Sequence, residues 1–236
     1  MKKWFSCLSI LVMMVVVWPT MVHANGSSQE EEFFRRVKVS KPQVVYEVKG
    51  EARVFEGTYH YRVKDGEKII AKGWGTASEG GPEWGVFSQT IRLPKSKDAM
   101  KANLKLELFE ESPKDGSEVN RLVLPLRNGI HQKKNGAFRN IQIHEPKVEY
   151  RVSGEARVFE GTYDYAVSDG HNYLAKGWGT ASKGAPEWGK FKKTIQIPLK
   201  KMPVNGTLML ELYELSMENG QPIHHSYVVM DQTPWK

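Results

Sequence analysis

The ten residues Gly50–Tyr59, with the sequence GEARVFEGTY, return letter for letter as Gly154–Tyr163, at an offset of 104 positions. Two further segments keep that offset: Ala71–Ser78 with Ala175–Ser182, and Pro82–Gly85 with Pro186–Gly189. A repeat of this length is too long for a solenoid unit and suits a small sandwich domain. The sequence therefore predicts a tandem duplication of one domain.

The register of the repeat sets the expected domain boundaries. It predicts a first domain over residues 33–126, a polar, basic linker over 127–135 and a second domain over 136–236. The polar, acidic run 25–32 is typical of a flexible lead-in. A short linker keeps two domains close without fixing the angle between them.

The N-terminus has the pattern of a secretory signal peptide. A basic start precedes an apolar run from Leu8 to Trp18, and Val22–Ala24 gives a small-residue cleavage pattern. We therefore predict a signal peptide over 1–24, cleaved after Ala24, and an exported protein of the cell envelope or spore. An uncleaved anchor is the alternative. No later stretch has the roughly 20 apolar residues that a bilayer span needs, so no transmembrane segment is expected in the mature chain.

Charge and cysteine content limit the classes of function. The 236 residues carry 34 Lys and Arg against 27 Asp and Glu, a net charge of +7. Removing Lys2 and Lys3 with the signal leaves 32 against 27, or +5, which favours anionic polymers weakly and is no nucleic-acid signature. The single cysteine, Cys7, lies in the signal, so a mature fold without disulfides is expected. We predict no cofactor and no metal site.

Alternating apolar and polar residues predict β-strands throughout each repeat. Such runs occur at Tyr59–Val63 and Leu104–Leu108, and Asp65-Gly66 is a hairpin-turn signal. About seven short strands per repeat favour an all-β fold of two tandem immunoglobulin-like β-sandwiches. The absence of paired cysteines argues against the antibody type of domain.

Three ordered motifs, present in both copies, resemble one known family, the immunoglobulin-like domain of bacterial spore germination. They are GEARVFEG from Gly50, WGTASEGGPEWGVF from Trp74 and FEESPKDGSEVN from Phe109. The resemblance implies an extracytoplasmic β-sandwich of spore-forming bacteria, found in germination and envelope proteins, with no catalytic residues to carry over. The second copy departs from the pattern at its end, where YELSMENG from Tyr213 replaces the acidic segment.

One turn of each repeat carries candidate ligand-binding residues. Two tryptophans flank a Gly- and Pro-rich segment that holds a glutamate, which gives six candidates: Trp74, Glu83, Trp84, Trp178, Glu187 and Trp188. An exposed indole can stack on a sugar ring while a carboxylate accepts hydrogen bonds from hydroxyl groups. The alternative is that each tryptophan closes the end of a sandwich core.

A lysine cluster in the second copy is a candidate contact for an anionic polymer. It consists of Lys190, Lys192, Lys193, Lys200 and Lys201, and the matching positions of the first copy hold only one lysine. Exposed contacts of this kind are weak and salt-sensitive. An ordinary solvated face is the alternative.

The sequence favours a secreted, non-enzymatic binding or scaffolding module whose two weak sites gain effective concentration on a repetitive wall polymer. Its expected partners are a wall polymer or an envelope or spore protein, and no nucleic acid. The second hypothesis is a protein–protein adaptor or inhibitor that acts through a strand edge. The third is a glycoside hydrolase that uses Glu107 with Glu110, or Glu211 with Glu214, as acid and base.

Overall fold

The computed structural model describes residues 32–95, 103–203 and 206–232. The predicted signal peptide and residues 25–31 of the lead-in lie outside the described residues. The chain from Glu32 onward forms one compact unit. Among the described residues, no helix is long and apolar enough to cross a membrane.

In the described part of the chain each repeat folds into seven strands. The first repeat contains β1 (Phe34–Val39), β2 (Gln43–Ala52), β3 (Thr58–Asp65), β4 (Lys68–Thr76), β5 (Gly85–Pro94), β6 (Lys105–Glu111) and β7 (Glu118–Pro125). Within the predicted linker lies the short strand β8 (Gly129–His131). The second repeat contains β9 (Phe138–Ile143), β10 (Lys147–Ala156), β11 (Thr162–Ser168), β12 (Tyr173–Thr180), β13 (Gly189–Pro198), β14 (Leu208–Leu215) and β15 (Pro222–Asp231). Single 3₁₀ turns occupy Phe55–Gly57, Phe159–Gly161 and Leu199–Lys201.

The strands form two outer sheets and one shared sheet, all antiparallel. The first outer sheet has the order β4-β3-β6-β7 and the second β12-β11-β14-β15. The shared sheet runs through both repeats as β1-β10-β2-β9-β8, with β13 on β10 and β5 on β2. Each outer sheet packs on the shared sheet over its own buried apolar cluster. The predicted all-β, two-sandwich fold is thereby confirmed.

The sequence alternation decides which face of each strand is buried. Tyr59 and Val63 of β3 are fully buried, whereas His60 and Arg62 lie on the opposite, partly exposed face. Burying one large apolar side chain contributes roughly 1.5–3 kcal/mol, so this face drives the sheet onto the core. The predicted hairpin turn joins β3 to β4, with Gly66 in the left-handed region at φ +57°.

The first strand of each repeat lies in the sandwich of the other repeat. β1 pairs with β10, where Phe34 is opposite Ala156, and β9 makes the equivalent pairs with β2, where Phe138 is opposite Ala52. We call the unit built from residues 43–143 the first sandwich. The second sandwich consists of β10–β15 and of β1, which comes from the other end of the described chain.

The short connections after these exchanged strands explain why they cross. Only Ser40–Pro42 separate β1 from β2, and only His144–Pro146 separate β9 from β10. A residue before proline favours extended backbone, so each strand continues onward instead of folding back on its own repeat. The repeats at 33–126 and 136–236 therefore differ from the sandwiches by one strand each, an exchange that the sequence did not predict.

The two sandwiches also pair directly through the shared sheet. β2 and β10 run antiparallel around Val44 opposite Val148, which are equivalent positions of the two repeats, so the pairing is self-complementary. Lys95 Nζ also lies 2.8 Å from Asp231 Oδ2, and this pair links the residue that follows β5 in the first sandwich to β15 of the second. Main-chain hydrogen bonds thus join two units between which the sequence predicted only a linker.

Candidate functional site

Trp84 and Trp188 contact the exchanged strands. The guanidinium carbon of Arg139, on β9, lies 4.0 Å from the ring centroid of Trp84, and that of Arg35, on β1, lies 4.0 Å from the centroid of Trp188. A second arginine lies over each ring: the guanidinium carbon of Arg53 is 4.9 Å from the Trp84 centroid, and that of Arg157 is 5.3 Å from the Trp188 centroid. Cation–π contacts of this kind give both tryptophans a part in holding the exchange together. Ligand binding by these two residues stays a prediction.

The same two arginines bind glutamates of the shared sheet. Arg35 Nε donates to Glu155 Oε2 at 2.6 Å, and Arg139 Nε donates to Glu51 Oε2 at 2.7 Å. Hydrogen bonds from Asn140 and Arg139 hold the pKa of Glu51 below its usual range, and Arg35 does the same to the pKa of Glu155. Docking of the exchanged strands therefore favours the charged form of both carboxylates.

Trp74 and Trp178 lie on the outward faces of the outer sheets, where they are 66% and 62% exposed. The glycines that flank Trp74 explain the local geometry, because a Cβ at Gly75 would lie 2.4 Å from the Tyr59 hydroxyl. The buried tyrosine needs that space, so the strand can carry a large side chain only on its other face. Core packing, the alternative considered for all four tryptophans, does not describe these two.

The predicted glutamates lie on the loops before β5 and β13. Glu83 and Glu187 are both exposed. Glu187 Oε2 pairs with Lys183 Nζ at 2.6 Å, whereas the position equivalent to Lys183 is Glu79 in the first repeat. The loops of the two repeats therefore differ in charge although their backbones match.

Lys193 is the predicted lysine that the structure brings to a predicted tryptophan. Its Nζ donates to the carbonyl oxygen of Trp178 at 2.5 Å and lies 5.9 Å from the Trp178 ring centroid. The equivalent residue of the first repeat, Gln89, instead accepts a hydrogen bond from the Tyr59 hydroxyl at 3.2 Å. A positive charge thus lies beside the exposed indole of the second sandwich.

Among the described residues, the other predicted lysines do not contact a predicted tryptophan. Lys190 and Lys192 are exposed on β13, where Lys192, Lys193 and Arg151 border a shallow depression of the shared sheet. Lys201 is exposed on the 3₁₀ turn after β13, and Lys200 of that turn is paired with a glutamate at 3.0 Å. The lysine cluster of the sequence is therefore spread over more than one surface.

Sequence reasoning missed the residues beside Trp178 on the second outer sheet. Asp164 lies opposite Trp178 on one side and opposite Tyr213 on the other, so the carboxylate stands between two aromatic residues. Burial raises the pKa of Asp164. Among the described residues its carboxylate has no hydrogen bond or ion pair. Alignment of the two repeats could have drawn attention to this residue, because Asp164 occupies the position that His60 occupies in the first repeat.

A second carboxylate lies one step further across the same face. Glu211 Oε1 accepts a hydrogen bond from the Tyr227 hydroxyl at 3.0 Å and lies 2.8 Å from His225 Nδ1. The His225 ring stacks on Tyr213 and on Tyr227, with centroids 5.8 and 6.1 Å apart. We call the surface formed by Asp164, Trp178, Glu211, Tyr213 and Tyr227 the second outer face.

The first outer sheet carries an arginine and a histidine on the equivalent surface. Arg62 pairs with Glu107 and, at 2.6 Å, with Glu118, and its guanidinium carbon lies 4.8 Å from the Phe109 ring centroid. The ring of His60 stacks on Phe109 at 5.6 Å. We call the surface formed by His60, Arg62, Trp74, Glu107 and Phe109 the first outer face. It presents a histidine and an arginine where the second outer face presents an aspartate and an alanine.

The glutamates considered as an acid–base pair are tied to the backbone. Glu110 Oε1 accepts the Phe55 N–H and Glu214 Oε1 accepts the Phe159 N–H, both at 2.9 Å. Each therefore caps a 3₁₀ turn. No group of three or more His, Cys, Asp or Glu side chains is arranged to hold a metal ion within the residues that the structure describes.

Two-layered antiparallel sandwiches, of eight described strands in the first and seven in the second, built without disulfides, define a pair of immunoglobulin-like domains. A sequence model described as the immunoglobulin-like domain of bacterial spore germination matches residues 37–117 and again residues 141–221. The chain therefore belongs to this family and carries two copies of its domain, as the motifs predicted. No curated protein and no solved structure matches the chain.

Proposed function

We propose that the protein is an exported, non-enzymatic binding module of the bacterial cell envelope or spore, and that its two outer sheets bind a wall polymer. The observation that carries the proposal is the exposure of Trp74 and Trp178 at equivalent positions of the two sandwiches. A large exposed indole on a flat sheet is a surface on which sugar rings stack. Its duplication gives two such surfaces on one chain.

The shared sheet supports a bivalent mode of binding. Because strands β1 and β9 are exchanged, the two sandwiches are joined through the main chain. The two tryptophans are then held at a set separation, and engagement of the second by a long polymer becomes an intramolecular step. Little ordering entropy is lost at that step, since the sites are already positioned.

Charge favours a polymer with some negative groups. The mature chain has an expected net charge of +5. Exposed charge contacts weaken as salt rises, so the binding is expected to be salt-sensitive. A part in spore germination belongs to this proposal and is supported by family membership.

Co-sedimentation of the chain from Asn25 onward with purified cell-wall sacculi tests the proposal. We expect the wild type to sediment at low salt and less at moderate salt, and the Trp74→Ala/Trp178→Ala variant to stay in the supernatant. The matched control is Phe55→Ala/Phe159→Ala, which removes another equivalent pair of half-exposed aromatic side chains. Loss of binding in that control, or no binding by a folded wild type, would contradict the proposal.

A protein–protein adaptor or inhibitor is the second candidate. One observation favours it: the outer sheets end in β4, β7, β12 and β15, whose outer edges carry no paired strand among the described residues. An edge of this kind can pair with a strand of a partner. Capture of an envelope protein that resists salt and survives the Trp74→Ala/Trp178→Ala change would favour this candidate.

A further inference from the structure

The two outer faces carry different polar groups at equivalent positions around the same exposed tryptophan. Along β3 the outward residues beside Trp74 are His60 and Arg62, and along β11 the equivalent residues are Asp164 and Ala166. One guanidinium and one imidazole are thereby replaced by one carboxylate and one methyl group. The backbone register around both tryptophans is the same, so the difference lies in the side chains alone.

The first outer face indicates what chemistry this position accepts. There the chain supplies its own cation, since Arg62 lies over the Phe109 ring and pairs with Glu107. The equivalents of those two partners, Tyr213 and Glu211, are present in the second sandwich, but the arginine is not. Aromatic rings next to carboxylates attract organic cations through the ring quadrupole and through charge.

Among the described residues, Asp164 has no paired cation, because the two neighbouring lysines make other contacts: Lys176 lies over the Tyr173 ring and Lys193 donates to the Trp178 carbonyl oxygen. Asp164 lies between Trp178 and Tyr213, and no described residue gives its carboxylate a hydrogen bond or an ion pair. Burying a charged group without a partner is unfavourable, and the raised pKa of Asp164 reflects that cost. An ammonium group brought by a ligand would restore the missing partner.

We propose that the second outer face selects unacetylated amino sugars, with the sugar ring stacked on Trp178 and its ammonium group paired with Asp164. An amino sugar suits this surface better than a peptide side chain does. The face is a flat, exposed indole rather than a groove. The inference rests on the proposed function, because it names the sugar chemistry that one of the two polymer surfaces prefers.

Titration of the chain from Asn25 onward with glucosamine oligosaccharides and with N-acetylglucosamine oligosaccharides of equal length tests the inference. We expect the wild type to bind the amine-bearing form about tenfold more tightly, as one partly desolvated cation contact allows. Asp164→Asn keeps the shape of the side chain and is expected to remove the preference while leaving the affinity for the acetylated form unchanged. Trp178→Ala is expected to weaken binding of both forms at this face.

Exchanging residues between the repeats gives matched variants. Asp164→His installs the residue of the first outer face and is expected to abolish the preference, even if Asp164→Asn were to unfold. His60→Asp makes the reverse change and is expected to strengthen binding of the amine-bearing form at the first outer face. Thermal melting of each variant checks that the sandwiches are intact.

The outcomes separate this inference from the proposed function. An unchanged preference in Asp164→Asn and Asp164→His, or equal binding of the two oligosaccharides, would overturn the inference while sacculus binding still stood. Tighter binding of lysine oligopeptides than of glucosamine oligosaccharides would overturn it in favour of a peptide ligand. Absence of both oligosaccharide and sacculus binding would overturn the two proposals together.

Discussion

The exchanged strands and the outer faces of this protein have diverged to different degrees since the duplication. At the exchanged strands the arginine–tryptophan contacts repeat: Arg35 with Trp188 matches Arg139 with Trp84. On the outer sheets, the equivalent positions His60 and Asp164 carry different charge. Each exchanged strand packs against the other repeat, so a substitution at such a contact has to be compatible with residues of both repeats. Among the described residues the outer faces contact no such partner strand, so their side chains could change independently in each repeat.

The largest expected effect comes from removing the buried anchor of an exchanged strand. Phe34 is 4% exposed and packs in the core of the second sandwich, although it belongs to the first repeat. Phe34→Ala should cost about 3–5 kcal/mol of unfolding free energy through lost burial and the cavity left behind. Denaturant titration measures the loss, and hydrogen exchange should locate it in β10 and β13.

Phe138→Ala is the matched control for that experiment. Phe138 is fully buried in the core of the first sandwich, so its loss should expose β2 and β5 to exchange instead. If Phe34→Ala reduced the protection of β2 and β5 and left β10 protected, the strand exchange would be contradicted. A loss shared equally by all strands would mean that the two sandwiches unfold as one cooperative unit.

A smaller effect should separate the two tryptophans of the second repeat. Trp188→Ala removes the ring over which Arg35 lies and should cost about 2 kcal/mol through lost cation–π contact and lost burial. Trp178→Ala removes an exposed ring and should change stability by less than about 0.5 kcal/mol. Thermal or denaturant melts of the two variants, measured in parallel, decide between a structural and a surface role. Equal destabilisation would contradict a structural role for Trp188 and a surface role for Trp178.

The smallest effect is the acid dependence of the exchanged strands. Glu51 and Glu155 have a folded-state pKa below the ordinary value of 4.5, so they contribute stability above that pH and lose it as the pH falls through the lowered pKa. The free energy of unfolding should therefore fall as the pH drops below about 4.5. Glu51→Gln/Glu155→Gln should be less stable at neutral pH and show a shallower fall. Glu79→Gln, on an exposed loop, is the control, and an equally shallow fall in that variant would argue against the assignment.

Much of the fold was predictable because the duplication provides two sequences for each equivalent strand and turn. The alternation at Tyr59–Val63 predicted both the strand and its buried face, and the turn after Asp65 predicted the hairpin. The exposure of Trp74 could not be predicted in the same way. Whether an aromatic residue on a half-buried strand faces the core depends on its register against neighbouring strands, and a one-residue shift reverses the face.

The candidate site was predicted in part. The tryptophans and Lys193 were recognised from composition and from the mismatch between repeats, but Asp164 and Tyr213 were not. These residues are separated along the chain and become neighbours only when β11 and β14 pair. Local patterns carry no information on such long-range pairing.

The sequence by itself determined the duplication, the all-β class, the family and the buried face of the main strands. Repeated motifs and period-two alternation are local properties, and they persist whatever the strands later pair with. Only the tertiary structure decided that β1 and β9 exchange partners, that Trp84 and Trp188 contact those strands, and that Asp164 stands between Trp178 and Tyr213. Both repeats offer an equivalent edge to each first strand. The choice between these edges depends on the geometry of the connections at Pro42 and Pro146, and it is made in three dimensions.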